Sequence, residues 1–178
     1  MSDVLTDSSM SGSPYHAIWT LTWPQMLMMV FHFLIGFVDV WAAGRIDSQV
    51  QASLGIITQA LFFFLVLAMA VANGGVAAIS QSMGALLYKR VRRYTGLLLE
   101  LALILGVLFA LLGLPFRQAL LRLLQVPEQM LGVTDEFLEI YLYVLPAYYL
   151  LIVCNAIFRA QKKVMFPLYC MIIITVLN

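Results

Sequence analysis

The sequence predicts an all-α integral membrane protein, a bundle of five transmembrane helices of which the fifth is truncated. Three observations carry this. Of the 178 residues, 63% are hydrophobic and 11% charged, against about 45–50% and about 25% in a soluble domain. The apolar residues gather into long runs, four of which reach the roughly 20 residues that cross a hydrocarbon core. The basic residues collect in the short connections between those runs.

The opening 16 residues, MSDVLTDSSMSGSPYH, are polar and contain no Lys or Arg, a composition that suits a disordered cytoplasmic tail. They lack the basic start of a cleaved signal peptide, so the first helix, over residues 18–43, is expected to remain as an uncleaved anchor.

That first helix contains an acid, Asp39, within FHFLIGFVDVWAAG, and His32 and Gln25 precede it at successive intervals of seven. A heptad drifts only about 20° around a straight helix, so the three side chains share one stripe. An intramembrane charge is costly, so the stripe is expected to face the bundle interior or a hydrated cavity, with Asp39 as the functional candidate. The alternative is that Asp39 snorkels to the outer interface, close to Gly44. For His32 alone, a hydrogen-bonded packing role is the simpler reading. The stripe does not suit a joint metal site, because side chains one heptad apart are about 10 Å apart along the axis, whereas two ligands on one helix favour i,i+4 spacing.

The second helix, over residues 54–82, carries Ala70, Gly74, Ala78 and Ser82 at every fourth position, a small-residue ridge for close helix packing. Asn73 stands before Gly74 and Gly75, and Asn-Gly-Gly within a helix invites a local break, either a plain kink or the lining of a cavity. Phe62, Phe63 and Phe64 read as lipid-facing or packing bulk.

The third helix, over residues 95–114, follows the basic YKRVRRY. Glu100, one heptad after Arg93, is expected to partner the Arg cluster at the interface; a proton relay is the lesser reading. The connection FRQALLRLLQVPEQMLGVTDEFLEIY mixes leucines with Arg117, Arg122 and later acids, as in a short interfacial amphipathic helix. The fourth helix, over residues 140–158, contains Pro146, which should kink it and is tolerated where neighbours satisfy the freed carbonyl. The fifth, over residues 164–178, reaches only about 22 Å of the roughly 30 Å needed, so the chain is expected to be a fragment of a longer protein.

Orientation follows from the cations. Lys89, Arg90, Arg92 and Arg93 in one connection and Arg159, Lys162 and Lys163 in another make seven of the ten basic residues, and placing them inside puts the N-terminus in the cytoplasm and Arg45, Arg117 and Arg122 outside. A net charge of +1, with no aromatic platform or continuous basic stripe, argues against a nucleic-acid partner. Cys154 and Cys170 lie in hydrophobic segments without a CxxC pair and read as small buried thiols, not as a disulfide or metal site. G-x-S-x-G, Walker and G-x-G-x-x-G patterns are missing, so neither enzyme chemistry nor a cofactor is expected.

Taken in order, four segments resemble one family. WPQMLMMVFHFLIGFVDVWAAG, with Pro24, Asp39 and Gly44, resembles the first helix of the multidrug and toxic compound extrusion (MATE) transporters. ANGGVAAISQSMGA, with Gln81 and Gly84, is similar to that family's second helix. LLRLLQVPEQMLGVTDEFLEIYLYVLP and NAIFRAQKKVMFPLYCMIIITVLN are similar to its connection into helix four and its fifth helix. The likeness runs from about Ala17 to the end.

This resemblance implies a multi-pass antiporter of the cytoplasmic membrane, with twelve helices in two six-helix lobes, expelling cationic or amphipathic compounds in exchange for Na⁺ or H⁺. The chain would be most of the N-terminal lobe, with the bilayer, the exported compounds and the missing C-terminal lobe as its partners. Residue by residue, it implies that Asp39 takes up the coupling cation, Na⁺ or H⁺, that Asn178 stands beside it, and that Pro24 permits bending. Gln25, His32 and Asn73 are supporting or cavity candidates. Two departures stand out: Phe137 occupies a position often held by a tyrosine that supports the acid, with Tyr141 one turn on as the candidate substitute, and RAQKKVMFP lacks a glycine common there. The alternatives are a lipid-linked saccharide flippase of the same superfamily, which should have an Arg-rich cavity, and a small membrane scaffold, which should form a stable oligomer by itself.

Overall fold

The computed structural model describes residues 14–177. Its helices are α1 (Pro14–Ile46), α2 (Ser48–Gly84), α3 (Tyr88–Leu123), α4 (Leu131–Ala160) and α5 (Met165–Leu177), with a single 3₁₀ turn at Glu128–Met130. The described residues contain no strand. Four helices are long and apolar enough to cross a membrane, and α5 is a shorter apolar helix. Of the tail expected over residues 1–16, positions 14–16 belong to α1 and the rest lie outside the described residues.

The helices outrun the apolar segments that announce them. At 37 and 36 residues, α2 and α3 are each about 55 Å long at 1.5 Å per residue, well over a hydrocarbon core of roughly 30 Å. Once a helix is nucleated, each further residue adds a hydrogen bond at little cost, so it runs on into polar flanks. Two expectations change accordingly. The amphipathic stretch after residue 114 is not a separate helix: α3 continues through Pro115 and Arg122 to Leu123. The connection between the first two helices shrinks to Asp47, whose extended backbone and carboxylate cap α2 by accepting the Gln49 N–H at 3.2 Å.

Two compact units divide the chain: residues 36–163, and residues up to 35 together with those from 164 onward. In the larger unit α2, α3 and α4 pack on one another around Ile57, Leu61, Ala72, Leu138, Leu142 and Val153. Tyr149 of α4 is buried among them, and its hydroxyl donates to the Phe64 carbonyl of α2 at 2.6 Å. Its ring lies 6.1 Å from Phe109 of α3, which in turn lies 5.3 Å from Phe64. One aromatic cluster thereby joins all three helices.

Close approach between α3 and α4 depends on Gly106, where a Cβ would come within 2.7 Å of the Pro146 Cα. Despite its proline, α4 is one helix from Leu131 to Ala160. Gly75 of α2 likewise faces the Leu98 side chain of α3. The expected ridge on α2 is only partly packed: Ala70 and Gly74 are exposed, Ala78 is half-buried and Ser82 buried, while Ala68, Ala72 and Ile79 turn inward. A segment this rich in alanine and glycine presents several four-residue ridges, and the packed one is selected by where α3 and α4 place their bulk. Nor does Asn-Gly-Gly break the helix, since α2 is continuous across it.

α2, α3 and α4 end alike. Leu86, Gln125 and Lys162 have φ of 59°, 54° and 59°, and the next amide reaches back to close each helix, from Leu87 to Ser82, Val126 to Leu121 and Lys163 to Phe158. These are Schellman closures with a side chain where glycine is usual. In RAQKKVMFP the turn closes regularly without a glycine because Lys162 itself adopts the left-handed conformation. In the smaller unit Pro24 is fully buried, and Pro167, Leu168 and Met171 of α5 are buried.

Candidate functional site

The site is built from α1 and α4 within the larger unit. Asp39 lies in the last turns of α1, and Tyr141 in the first half of α4. The Asp39 carboxylate and the Tyr141 phenol are electrostatic neighbours, and Tyr141 in turn neighbours Tyr148, one heptad further along α4. Phe137 packs against the hydrophobic core. Position 137 thus serves packing, and Tyr141 is the candidate phenol.

Two polar ties hold α4 against its neighbours at the same end. Thr134 and Ser53 are wholly buried; the Thr134 hydroxyl bonds the Ser53 hydroxyl at 3.0 Å and the Met130 carbonyl at 2.7 Å. Arg117 of α3 lies between two acids of α4, its Nε 2.9 Å from Asp135 Oδ1 and its Nη1 2.6 Å from Glu139 Oε2. Sequence reasoning missed this clasp. The available signal was the i,i+4 spacing of Asp135 and Glu139, which puts both on one helix face, but it has meaning only once α3 extends past residue 114. Glu100 is exposed and takes no part in the Arg117 ion pairs; the expected pairing of Glu100 with Arg93 is not formed.

The other predicted residues are distributed as follows. Gln25 and His32 lie on the part of α1 assigned to the smaller unit; the Gln25 amide donates to the Leu21 carbonyl at 2.9 Å, and His32 is exposed. Asn73 accepts from Arg159 Nη2 at 3.1 Å, joining α2 to the end of α4. With its carbonyl so occupied, Asn73 does not compete for the backbone, which accounts for the unbroken helix. Asn178 lies outside the described residues. Arg45 sits over the Trp41 ring at 4.9 Å, at the end of α1.

Chemically, the arrangement offers one carboxylate with a phenol nearby. The described residues hold no cluster of three or more His, Cys, Asp or Glu, and a divalent cation normally wants several oxygen or nitrogen ligands.

Residues 24–178 match the MatE family model. The chain is similar to "Probable multidrug resistance protein YoeA" of Bacillus subtilis (strain 168), at 26% identity over 156 residues, covering 87% of this chain and 34% of the relative. It thus spans about a third of the length of that curated relative. The fold is similar to that in "Crystal structure of MATE in complex with MaD5", with a TM-score of 0.87 and 23% identity, over 94% of this chain and 38% of that one.

Proposed function

The chain belongs to the MatE family, and from that premise we propose that it forms most of the N-terminal lobe of a cation-coupled antiporter exporting drugs or other toxic organic compounds. The observation that supports the coupling is the position of Asp39, an acid in the last turns of α1, within electrostatic reach of Tyr141 of α4 in a multi-pass membrane bundle.

In this reading, Asp39 is the group that alternately holds the coupling cation and gives it up. With no cation bound, the carboxylate is charged in a medium that penalises charge, and a phenol donor offsets part of that penalty. Binding H⁺ or Na⁺ removes or balances the charge, weakens the demand for the phenol, and lets α1 and α4 repack; release resets the site. Pro24 supplies a bending point in α1, and likeness to the family nominates Gln25 and His32 as supporting residues and Asn178 as a further ligand of the cation. Asn73 serves as a tether to Arg159. Alternating access needs two repeats around a central site, so the missing lobe is part of the machine.

Transport, not enzyme catalysis, is the activity that family membership supports. The flippase alternative calls for arginines in the cavity, whereas all ten basic residues lie in connections or within about two turns of a helix end, which favours the drug exporter. The test is efflux of a fluorescent lipophilic cation from cells carrying the complete protein. Tyr141→Phe should slow cation-driven efflux severalfold while leaving insertion unchanged; an unaltered rate would remove Tyr141 from the mechanism.

A further inference from the structure

The connection between α2 and α3 has no part in this cycle, yet it is the most charged place in the chain. Lys89, Arg90, Arg92 and Arg93 are all exposed in the first two turns of α3, whose first turn contains no acid. The ion pairs of Arg117 lie elsewhere, and none of these four cations has an acidic partner among the described residues. The next acid along the chain, Glu100, is seven residues beyond Arg93 and exposed. Four like charges this close repel one another and attract an anionic counterpart.

The residues between the cations narrow the choice of counterpart. Leu86 is 69% exposed and Tyr88 65%, and Leu87 and Tyr94 are exposed as well. Leu86 also has φ of 59°, a backbone conformation that disfavours any residue with a Cβ. In water, a glycine or polar residue at position 86 would be better on both counts. At the headgroup level of a bilayer the exposed leucine is no liability, because its side chain reaches the acyl boundary. Cations interleaved with leucine and tyrosine match a lipid interface on both its charged and its apolar side. A soluble polyanion would satisfy the charges and leave the leucines in water.

We infer that the α2–α3 connection is a recognition surface for anionic phospholipid headgroups. Lys89, Arg90, Arg92 and Arg93 take the phosphates, while Leu86, Leu87 and Tyr88 enter the interface. The inference rests on the reading that α2 and α3 cross a bilayer.

The test places the full protein in phosphatidylcholine nanodiscs and measures how much spin-labelled phosphatidylglycerol, and separately spin-labelled phosphatidylcholine, is motionally restricted by it. A preference of about tenfold for the anionic lipid is expected at low salt, falling towards parity at 1 M NaCl, where charges are screened within about 3 Å. Replacing the four cations together (K89Q/R90Q/R92Q/R93Q) should remove the preference. The salt titration needs no variant, so a preference that persists at high salt overturns the inference even if the substituted protein fails to fold. So does a preference abolished by millimolar inorganic phosphate, which would identify a free-anion site. Failure of the protein to enter nanodiscs at all would contradict the membrane reading itself.

Discussion

Asp39 stands out in the sequence because almost every residue around it is apolar, so the cost of its charge marks it without any structural knowledge. Tyr141 does not stand out in that way. Tyrosines are frequent along α4, and only the resemblance to MATE transporters singled this one out; its electrostatic tie to Asp39 depends on helix rotations that no local pattern encodes. The contact between Gly106 and Pro146 was also illegible, because two residues far apart in the chain meet only once the register of α3 on α4 is known. It yields a sharp contrast. Gly106→Ala must push a backbone atom that sits 2.7 Å from the new methyl, and should cost about 1–3 kcal/mol, as overpacking does. Gly132→Ala, whose methyl meets nothing within 4 Å, should instead be neutral or stabilise α4 by up to about 1 kcal/mol. Thermal unfolding in detergent, followed by helical ellipticity, would check the pair; equal effects would contradict the packing described.

At the scale of the element, apolar run length predicts that a helix exists far better than where it ends. The runs omitted the polar first turns of α2 and α3 and the last turns of α3, because membrane hydropathy reports which residues tolerate lipid, while hydrogen bonding carries a helix on into the interface. The end signals were weak for the same chemical reason at three places: Leu86, Gln125 and Lys162 do the work of a glycine with φ near 55–60°. Such a backbone costs a residue with a Cβ about 1–2 kcal/mol. Gln125→Gly, at an exposed and uncharged position, should therefore stabilise the protein by about 1 kcal/mol, read as a higher unfolding midpoint. A lowered midpoint would mean that the glutamine side chain contributes more than the strain it bears.

For the whole molecule, the helix that carries the proposed coupling acid is the least covered by the rest of the chain. In the most apolar stretch of α1, 6% is buried, against 28% in α4. A loosely covered helix opens at lower free energy than a core helix, so amide hydrogens of α1 should exchange faster than those of α4 in hydrogen-exchange mass spectrometry of this chain. Equal protection would argue that α1 is locked in place. The chain covers about a third of its curated relative, and the activity proposed belongs to the complete protein. The most direct test of that activity is cation-driven efflux by the complete protein with Asp39→Asn, assayed beside its membrane insertion. The account predicts normal insertion with efflux abolished; export undiminished in that variant would contradict the assignment of Asp39 as the coupling site.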